Sequence, residues 1–172
     1  MSTTNDYMNK VIRQRDSNLG YDNVIFRWKD GRIIPIKTKE YTFYHSSSSD
    51  FDNFDDQYIG KCSRGGLAYG KGHYFLDTEG DLYGRHGYKV KVSLKNPFIV
   101  QESKWSATLE KMGYDWWDFQ RPDPSDFLAS KGYDATILKN EEGNTVEAII
   151  YTNKDKKIKI IEKTLNGKKI ND

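Results

Sequence analysis

Residues 41–48, Tyr41-Thr42-Phe43-Tyr44-His45-Ser46-Ser47-Ser48, run from an aromatic and β-branched stretch into a row of serines. That composition fits a strand delivering one histidine to the lip of a loop. Two further stretches share the pattern of a single chemical group at a strand end. Gly70-Lys71-Gly72-His73-Tyr74-Phe75 brings glycines into a short strand carrying Tyr74. Thr145-Val146-Glu147-Ala148-Ile149-Ile150-Tyr151 puts one carboxylate at the entrance of an apolar strand. Singly, each has an ordinary structural reading: a satisfied histidine, a packed tyrosine, an exposed strand start. Gly-x-Gly alone is common punctuation.

Outward from these stretches the chain reads as strands, then two helices, then strands. Residues 5–15 suit a short helix with Tyr7, Met8, Val11 and Ile12 on one side. Residues 24–29 and 32–37 flank Asp30-Gly31, a favoured two-residue hairpin turn, with Pro35 suited to an edge strand. Residues 46–72 are loop-like, rich in Ser, Asp and Gly. Residues 73–76 form a short strand, and 88–94 alternate with period two as a longer one. Phe98-Ile99-Val100 can pair again after Asn96-Pro97.

Ser103 is placed to cap a helix carrying Trp105, Leu109 and Met112, stopped by Gly113. Pro122, Pro124 and Ser125 open a second, running to about Lys131 and stopped by Gly132. Strands close the chain near 135–139, 145–152 and 157–162, the first two joined through Glu142-Gly143-Asn144. This order predicts an α+β fold with mainly antiparallel sheets. The chain is expected to form a single compact domain overall: an extension at 1–40, a main body at 41–165 and a tail at 166–172.

The composition is 36% hydrophobic and 30% charged, but 14% aromatic, and an aromatic-rich chain of 172 residues is expected to fold around a core. A net charge of +2 gives no global attraction to nucleic acid or anionic membrane. Asp50, Asp52, Asp55 and Asp56, and the lysines from Lys154 to Lys169, read as solvated surface. Cys62 is the single cysteine, so no internal disulfide forms. No apolar run reaches the ~18 residues of a membrane span, and the polar start at Met1-Ser2-Thr3-Thr4 lacks a signal-peptide core. A cytoplasmic protein is the expectation.

Taken in order, the motifs resemble those of the ADP-ribosyltransferase superfamily, in its His-Tyr-Glu branch of diphtheria-toxin and poly-ADP-ribose-polymerase type. They are similar to the small versions carried by phages and mobile elements. The resemblance covers about residues 41–162 and rests on Tyr44-His45-Ser46-Ser47, Gly70 to Phe75, Lys95-Asn96-Pro97-Phe98-Ile99-Val100 and Gly132-Tyr133-Asp134-Ala135 before the final Glu147. It implies split antiparallel sheets with a few short helices around an NAD groove. His45, Tyr74 and Glu147 would be the catalytic trio, and Tyr44, His45, Ser46, Ser47, Gly72, Tyr74 and Phe75 would contact NAD.

The implied roles have physical reasons. His45 would hold a ribose hydroxyl on the adenosine side, and the Ser46 backbone the nicotinamide carboxamide. Tyr74 would stack on the cationic nicotinamide ring. Glu147 would bind the nicotinamide-side ribose and face the developing oxocarbenium ion. The implied function is transfer of ADP-ribose from NAD, without a metal, to a macromolecular target, by a phage-type effector or toxin in the cytoplasm of a bacterial host. The expected target is a host protein, with nucleic acid as the lesser alternative and no membrane. The alternatives are an NAD glycohydrolase toxin and a catalytically idle inhibitor module that binds a host protein.

The chain departs from the family pattern in places. Thr145 stands where relatives that modify arginine often carry a second glutamate, Ser46 where glycine is frequent, and His73 where an aliphatic residue is usual, which favours a space-filling role for His73. Other chemistries lack their signatures. Cys62 with His45 or His73 makes a weak thiol pair, and three histidines with one cysteine at wide spacing give no zinc motif. Ser46–Ser49 lacks Gly-x-Ser-x-Gly, and Gly65-Gly66 and Gly70-Lys71-Gly72 lack the Lys-Ser/Thr ending of a phosphate loop. Trp116, Trp117 and Phe119 are flanked by Asp115 and Asp118, which disfavours a nucleic-acid stacking platform.

Overall fold

The structure, a computed structural model, describes residues 25–29, 32–36, 38–61, 67–79 and 84–170. The chain divides into two compact units, residues 1–39 and 40–172. In the first, β1 (Ile25–Lys29) and β2 (Arg32–Ile36) pair antiparallel with Lys29 opposite Arg32 and Phe26 opposite Pro35. The helix expected at 5–15 and the Asp30-Gly31 turn lie outside the described residues.

The second unit holds two four-stranded sheets. The first runs in the order β10 (Lys168–Lys169), β9 (Ile158–Leu165), β5 (His86–Leu94), β3 (Lys39–Ser47). The second runs β4 (His73–Phe75), β8 (Thr145–Ile150), β7 (Ala135–Lys139), β6 (Pro97–Gln101). Strands β3 and β4 are the edge strands of their sheets. They meet at an antiparallel bridge between Tyr44 and Leu76, whose N–H groups each donate to the other's carbonyl at 2.8 Å. The fold is mixed α+β, and one feature departs from the antiparallel expectation: β6 and β7 are parallel. A parallel pair needs a long crossover. Residues 102–134 supply it with α1 (Trp105–Lys111) and α2 (Pro124–Ser130).

Period-two alternation assigns each strand residue to one of two apolar layers. Phe43, Phe75, Tyr88, Val90, Val92, Leu94, Ala135, Ile137, Ala148, Ile150 and Ile158 form the inner core. The opposite side of the second sheet carries Phe98, Leu138 and Ile149, covered by Trp105 and Leu109 of α1, Tyr114 and Leu128. Helix α2 starts as its sequence dictates, with the Asp123 carboxylate accepting from Ser125 N–H and Pro124 in the first turn. Ser103 does not cap α1. A 3-10 turn over Glu102–Lys104 precedes that helix, so Ser103 is already inside the turn and Lys104 takes the cap position. The expected tail at 166–172 also contributes structure, because β10 pairs antiparallel with β9.

Candidate active site

His45 is the fifth residue of the 41–48 stretch and lies on the same side of β3 as Tyr41 and Phe43, facing the core. Its ring meets Phe54 at 5.2 Å, Phe75 at 5.7 Å and Phe51 and Tyr88 at 6.2 Å. Nδ1 lies 2.8 Å from the Tyr74 carbonyl. A carbonyl only accepts, so Nδ1 carries the proton, and in the neutral ring Nε2 is the acceptor. Burial lowers the basicity of His45; the Tyr74 carbonyl works against that and the nearby His73 adds to it. A neutral acceptor nitrogen suits a hydroxyl donor.

A cleft of about 240 Å³ opens at this end of the first sheet, lined by Tyr44, His45, Ser46, Tyr88, Lys89 and Thr164 among others. The Lys89 ammonium sits 6.0 Å above the Tyr44 ring. Two glycines make room for the close backbone packing here. A Cβ on Gly84 would lie 2.3 Å from the Ser47 carbonyl, and one on Gly87 2.2 Å from the Thr164 hydroxyl oxygen. Ser47 is occupied locally, accepting from Ser49 N–H at 3.1 Å.

The loop after β3 is pinned over His45. Phe51 stacks on Tyr88 at 4.2 Å, and the Tyr88 hydroxyl donates to the Ser49 carbonyl at 2.7 Å and accepts from Phe51 N–H at 3.0 Å. Asp56, expected on a solvated acidic face, is instead a hub. It accepts from His73 Nε2 at 2.8 Å, from Asn153 N–H at 2.8 Å and from the Thr152 hydroxyl. Burial pushes the Asp56 carboxyl up, but these bonds outweigh it and hold the group below the usual range. His73 is therefore a polar tie and not the expected filler. Asp50 and Asp52 share Lys163, at 3.1 and 2.6 Å.

Tyr74 and Glu147 stand together on the helix-side face of the second sheet. Tyr74 is opposite Ile149, two residues beyond Glu147, so alternation aims Tyr74 and Glu147 the same way. The Tyr74 hydroxyl donates to the Gly70 carbonyl at 2.5 Å and accepts from Tyr69 N–H at 3.2 Å. Its ring packs against the helix-side cluster, so a substantial part of it serves structure. Burial, and then the Glu147 charge, push its phenol well above the usual range against the Tyr69 N–H bond. Glu147 is half-buried, and burial first and the Glu102 charge second push its carboxyl up to about 7. Tyr69 donates to Glu102 Oε1 at 2.5 Å and is pushed up to about 12 by burial, by that bond and by the Glu102 and Glu147 charges.

The remaining expected residues fall into place around these. Gly72 has no room for a side chain, since a Cβ there would meet Ile149 at 2.6 Å and the Ile150 carbonyl at 2.7 Å. Phe75 is 1% exposed and fills the core, so it can touch a ligand site only through His45, whose ring it supports. Thr145 is engaged by Lys139, whose ammonium donates to its hydroxyl at 2.8 Å. The His45 cleft does not include Tyr74 or Glu147 among its lining residues. The link between them is the Tyr74 carbonyl, one strand thick, at the edge of the second sheet.

Tyr69 and Glu102 were not singled out in the sequence, and Asp56 was read only as part of a solvated surface. The one available signal was that Tyr69 precedes the glycine pair of the Gly70 motif. Among the described residues no group of three or more His, Cys, Asp or Glu is placed to hold a metal, and no helix is long and apolar enough to cross a membrane. Cys62 lies outside the described residues. No protein-family model matches this chain, and neither a curated protein nor a solved structure matches it at a significant level.

Proposed function

We propose that the protein transfers ADP-ribose from NAD to a macromolecular target, with Glu147 as the catalytic carboxylate. The observation that carries the reading is the convergence of three separated stretches on the three-residue strand β4. His45 reaches the Tyr74 carbonyl, and Tyr74 shares its face with Glu147 on the neighbouring strand. NAD would straddle this edge strand. An adenosine-side ribose hydroxyl would donate to His45 Nε2, and the nicotinamide-side ribose would lie against Glu147.

The chemistry asks for little else from the protein. The bond between the ribose C1′ and the nicotinamide nitrogen breaks, and its electron pair leaves with neutral nicotinamide. The positive charge left on the ribose faces ionised Glu147, and a carboxylate in a partly desolvated site stabilises it more than water would. A nucleophile from the target then bonds to C1′ and gives up its proton. Water in the same place yields ADP-ribose, the glycohydrolase outcome.

The test is labelling of a bacterial lysate with tagged NAD, comparing wild type with Glu147→Gln. Label on discrete species with wild type alone supports the transferase. Nicotinamide release without label supports the glycohydrolase. Neither label nor release in any lysate would remove the enzymatic reading in favour of a binding module.

A further inference from the structure

The chain between α1 and α2 presents two aromatic rings to solvent. Trp117 is 87% exposed and Phe119 fully exposed, while Trp105 and Tyr114 nearby in sequence are buried. A large ring left in water forgoes its burial free energy, so two of them two residues apart mark a surface made for contact.

The loop holds both rings outward. The Tyr114 hydroxyl donates to the Pro122 carbonyl at 2.6 Å and closes the stem. Trp116 turns inward: its ring meets Tyr114 at 4.6 Å and Trp105 at 5.1 Å, and its Nε1–H donates to the Ser106 carbonyl at 3.3 Å. Asp115 accepts from Trp117 N–H and Asp118 from Gln120 N–H, each at 2.9 Å through one carboxylate oxygen. Asp118 N–H donates to the Asp115 carbonyl and Arg121 N–H to the Asp118 carbonyl, which makes two successive turns. The backbone around Trp117 and Phe119 is therefore arranged in advance, and a partner has little of it left to order.

Charge selects the partner. Asp115 and Asp118 are exposed, alternate with the two rings, and each keep one carboxylate oxygen beyond the bond to the loop backbone. Arg121, the basic residue of the loop, folds back and donates from its guanidinium to the Asp118 carbonyl at 3.2 Å. Between Glu102 and Asp134 the chain carries seven acidic side chains against four basic ones, although the whole chain has a net charge of +2. Aromatic faces attract cations and carboxylates pair with them, so a lysine or arginine side chain finds both here. A phosphate backbone would meet the carboxylates instead.

The loop also shares its side of the second sheet with Tyr74. Trp116, Trp105, Tyr69 and Tyr74 belong to one layer over that sheet. The Tyr69 ring stands 5.2 Å from Trp105, and its N–H donates to the Tyr74 hydroxyl at 3.2 Å.

We infer that residues 115–121 dock a basic protein segment, with Trp117 and Phe119 taking its lysine or arginine side chains against Asp115 and Asp118. Under the transferase reading, on which only this consequence rests, the segment belongs to the target, and the loop brings it to the face that carries Glu147.

The test adds a short peptide of alternating arginine and glycine to the whole chain at low salt and follows the Trp117 indole N–H by NMR. Affinities come from the anisotropy of the same peptide carrying a dye. A peptide of alternating glutamate and glycine and a single-stranded DNA oligonucleotide serve as comparisons. The arginine peptide is expected to shift the Trp117 signal to saturation. Trp117→Ala combined with Phe119→Ala is expected to weaken binding by at least about tenfold. Asp115→Asn combined with Asp118→Asn keeps the accepting oxygens that form the turns and removes the charges. It is expected to weaken binding by roughly fivefold and to flatten its salt dependence.

No saturable shift with the arginine peptide overturns the proposal, and a shift with the oligonucleotide in its place assigns the loop to nucleic acid. Peptide affinity that survives both double variants also overturns it. So does a Trp117 signal that moves with protein concentration alone, because a second copy of the chain then covers the loop. Tagged-NAD labelling of lysate protein and nicotinamide release are read on the same variants. Label lost beyond any loss of nicotinamide release supports docking of the target. Peptide binding with no turnover in any variant keeps the docking surface and removes the transferase reading. Full labelling by Trp117→Ala with Phe119→Ala removes the target-docking role and leaves the transferase standing.

Discussion

His45 Nδ1 donates to the Tyr74 carbonyl at 2.8 Å, and this one bond joins the edge strands of the two sheets and fixes which ring nitrogen is the acceptor. Burial lowers the histidine's affinity for a proton below the ordinary value of 6.5. A group whose folded pKa is depressed binds protons better in the unfolded chain. Its contribution to stability is therefore complete above about pH 6.5 and is lost as pH falls through the folded value. Thermal melts between pH 5 and 8 should show wild type losing stability on the acid side more steeply than His45→Gln. Parallel melting curves would mean that His45 does not titrate as a buried neutral ring. NAD affinity, measured by calorimetry, should fall over the same acid range. His45→Ala at pH 7.5 should weaken it by about 1 kcal/mol, the scale of one hydrogen bond.

Glu147 shows the opposite sign. Its carboxyl is pushed up to about 7 by burial and by Glu102, so the folded protein holds this proton more tightly than the unfolded chain does. The stabilisation is complete below the ordinary value of about 4.5 and is lost as pH rises through about 7. Glu147→Gln removes a carboxylate that is uncomfortable when ionised. At pH 8 the variant should be more stable than wild type by on the order of 1–2 kcal/mol, a figure discounted for the partial exposure of the group. At pH 5 most of the difference should vanish. Denaturant titrations at the two pH values measure this, and the same variant should lose NAD cleavage. A variant less stable than wild type at pH 8 would mean that ionised Glu147 has a favourable partner.

Tyr74 has more structural duty than a ring that only stacks on a ligand. Its hydroxyl takes one hydrogen bond from Tyr69 N–H and gives one to the Gly70 carbonyl, bracing the loop that carries both. Tyr74→Phe keeps the ring but leaves that N–H and that carbonyl without their partner. It should destabilise the fold by about 1–3 kcal/mol in urea titrations. If the ring meets nicotinamide as well, Tyr74→Phe should retain most of the NAD affinity while Tyr74→Ala loses a further 1–2 kcal/mol or so. Equal NAD affinity in Tyr74→Ala and Tyr74→Phe would remove the stacking role.

Much of the fold was legible because it was written in short-range signals. The alternation of Tyr88, Val90, Val92 and Leu94, the Asp123-Pro124 helix start and the turn around Gly143 each depend on neighbours within a few residues. The parallel pairing of β6 with β7 was not legible, since either direction buries Phe98 and Val100 equally well and only the two-helix crossover decides. The site divides the same way. His45, Tyr74 and Glu147 stand out as single groups at strand ends. Asp56 did not, because nothing local separates it from Asp52 or Asp55; its partners Thr152 and Asn153 lie 96 and 97 residues away. Glu102 and Tyr69, 33 residues apart, are paired by the return of the chain and by no spacing rule.

The Asp56 hub gives a prediction opposite to the aliphatic-filler reading of His73. His73 is 8% exposed and donates from Nε2 to Asp56, with its ring nearly perpendicular to that of Phe54 at 5.6 Å between centroids. Were His73 a filler, His73→Leu would be nearly neutral. Because the substitution strips Asp56 of one of three donors inside a half-buried site, it should cost about 1–3 kcal/mol. Residues 51–58 should also become susceptible to limited proteolysis under native conditions. Asp56→Ala should be worse, since His73, Thr152 and Asn153 all lose their acceptor. A stable His73→Leu with an uncut loop would show that Phe51 and Phe54 alone hold the loop down.

Gly70 and Gly113 both have positive φ, +102° and +99°, yet their surroundings separate them. A Cβ on Gly113 would meet nothing within 4 Å, so Gly113→Ala should cost only the left-handed strain of about 1–2 kcal/mol. A Cβ on Gly70 would lie 2.5 Å from the Ser125 hydroxyl oxygen and 2.8 Å from the Ser125 backbone nitrogen, inside the cap of α2. That clash involves backbone and has no cheap relief, so Gly70→Ala should exceed Gly113→Ala by at least about 2 kcal/mol in matched urea titrations. It should also push the Gly70 carbonyl away from the Tyr74 hydroxyl and thereby displace Tyr69 from Glu102. Equal costs for the two variants would mean that the start of α2 yields readily and that the loop carrying Tyr69 is not fixed from below.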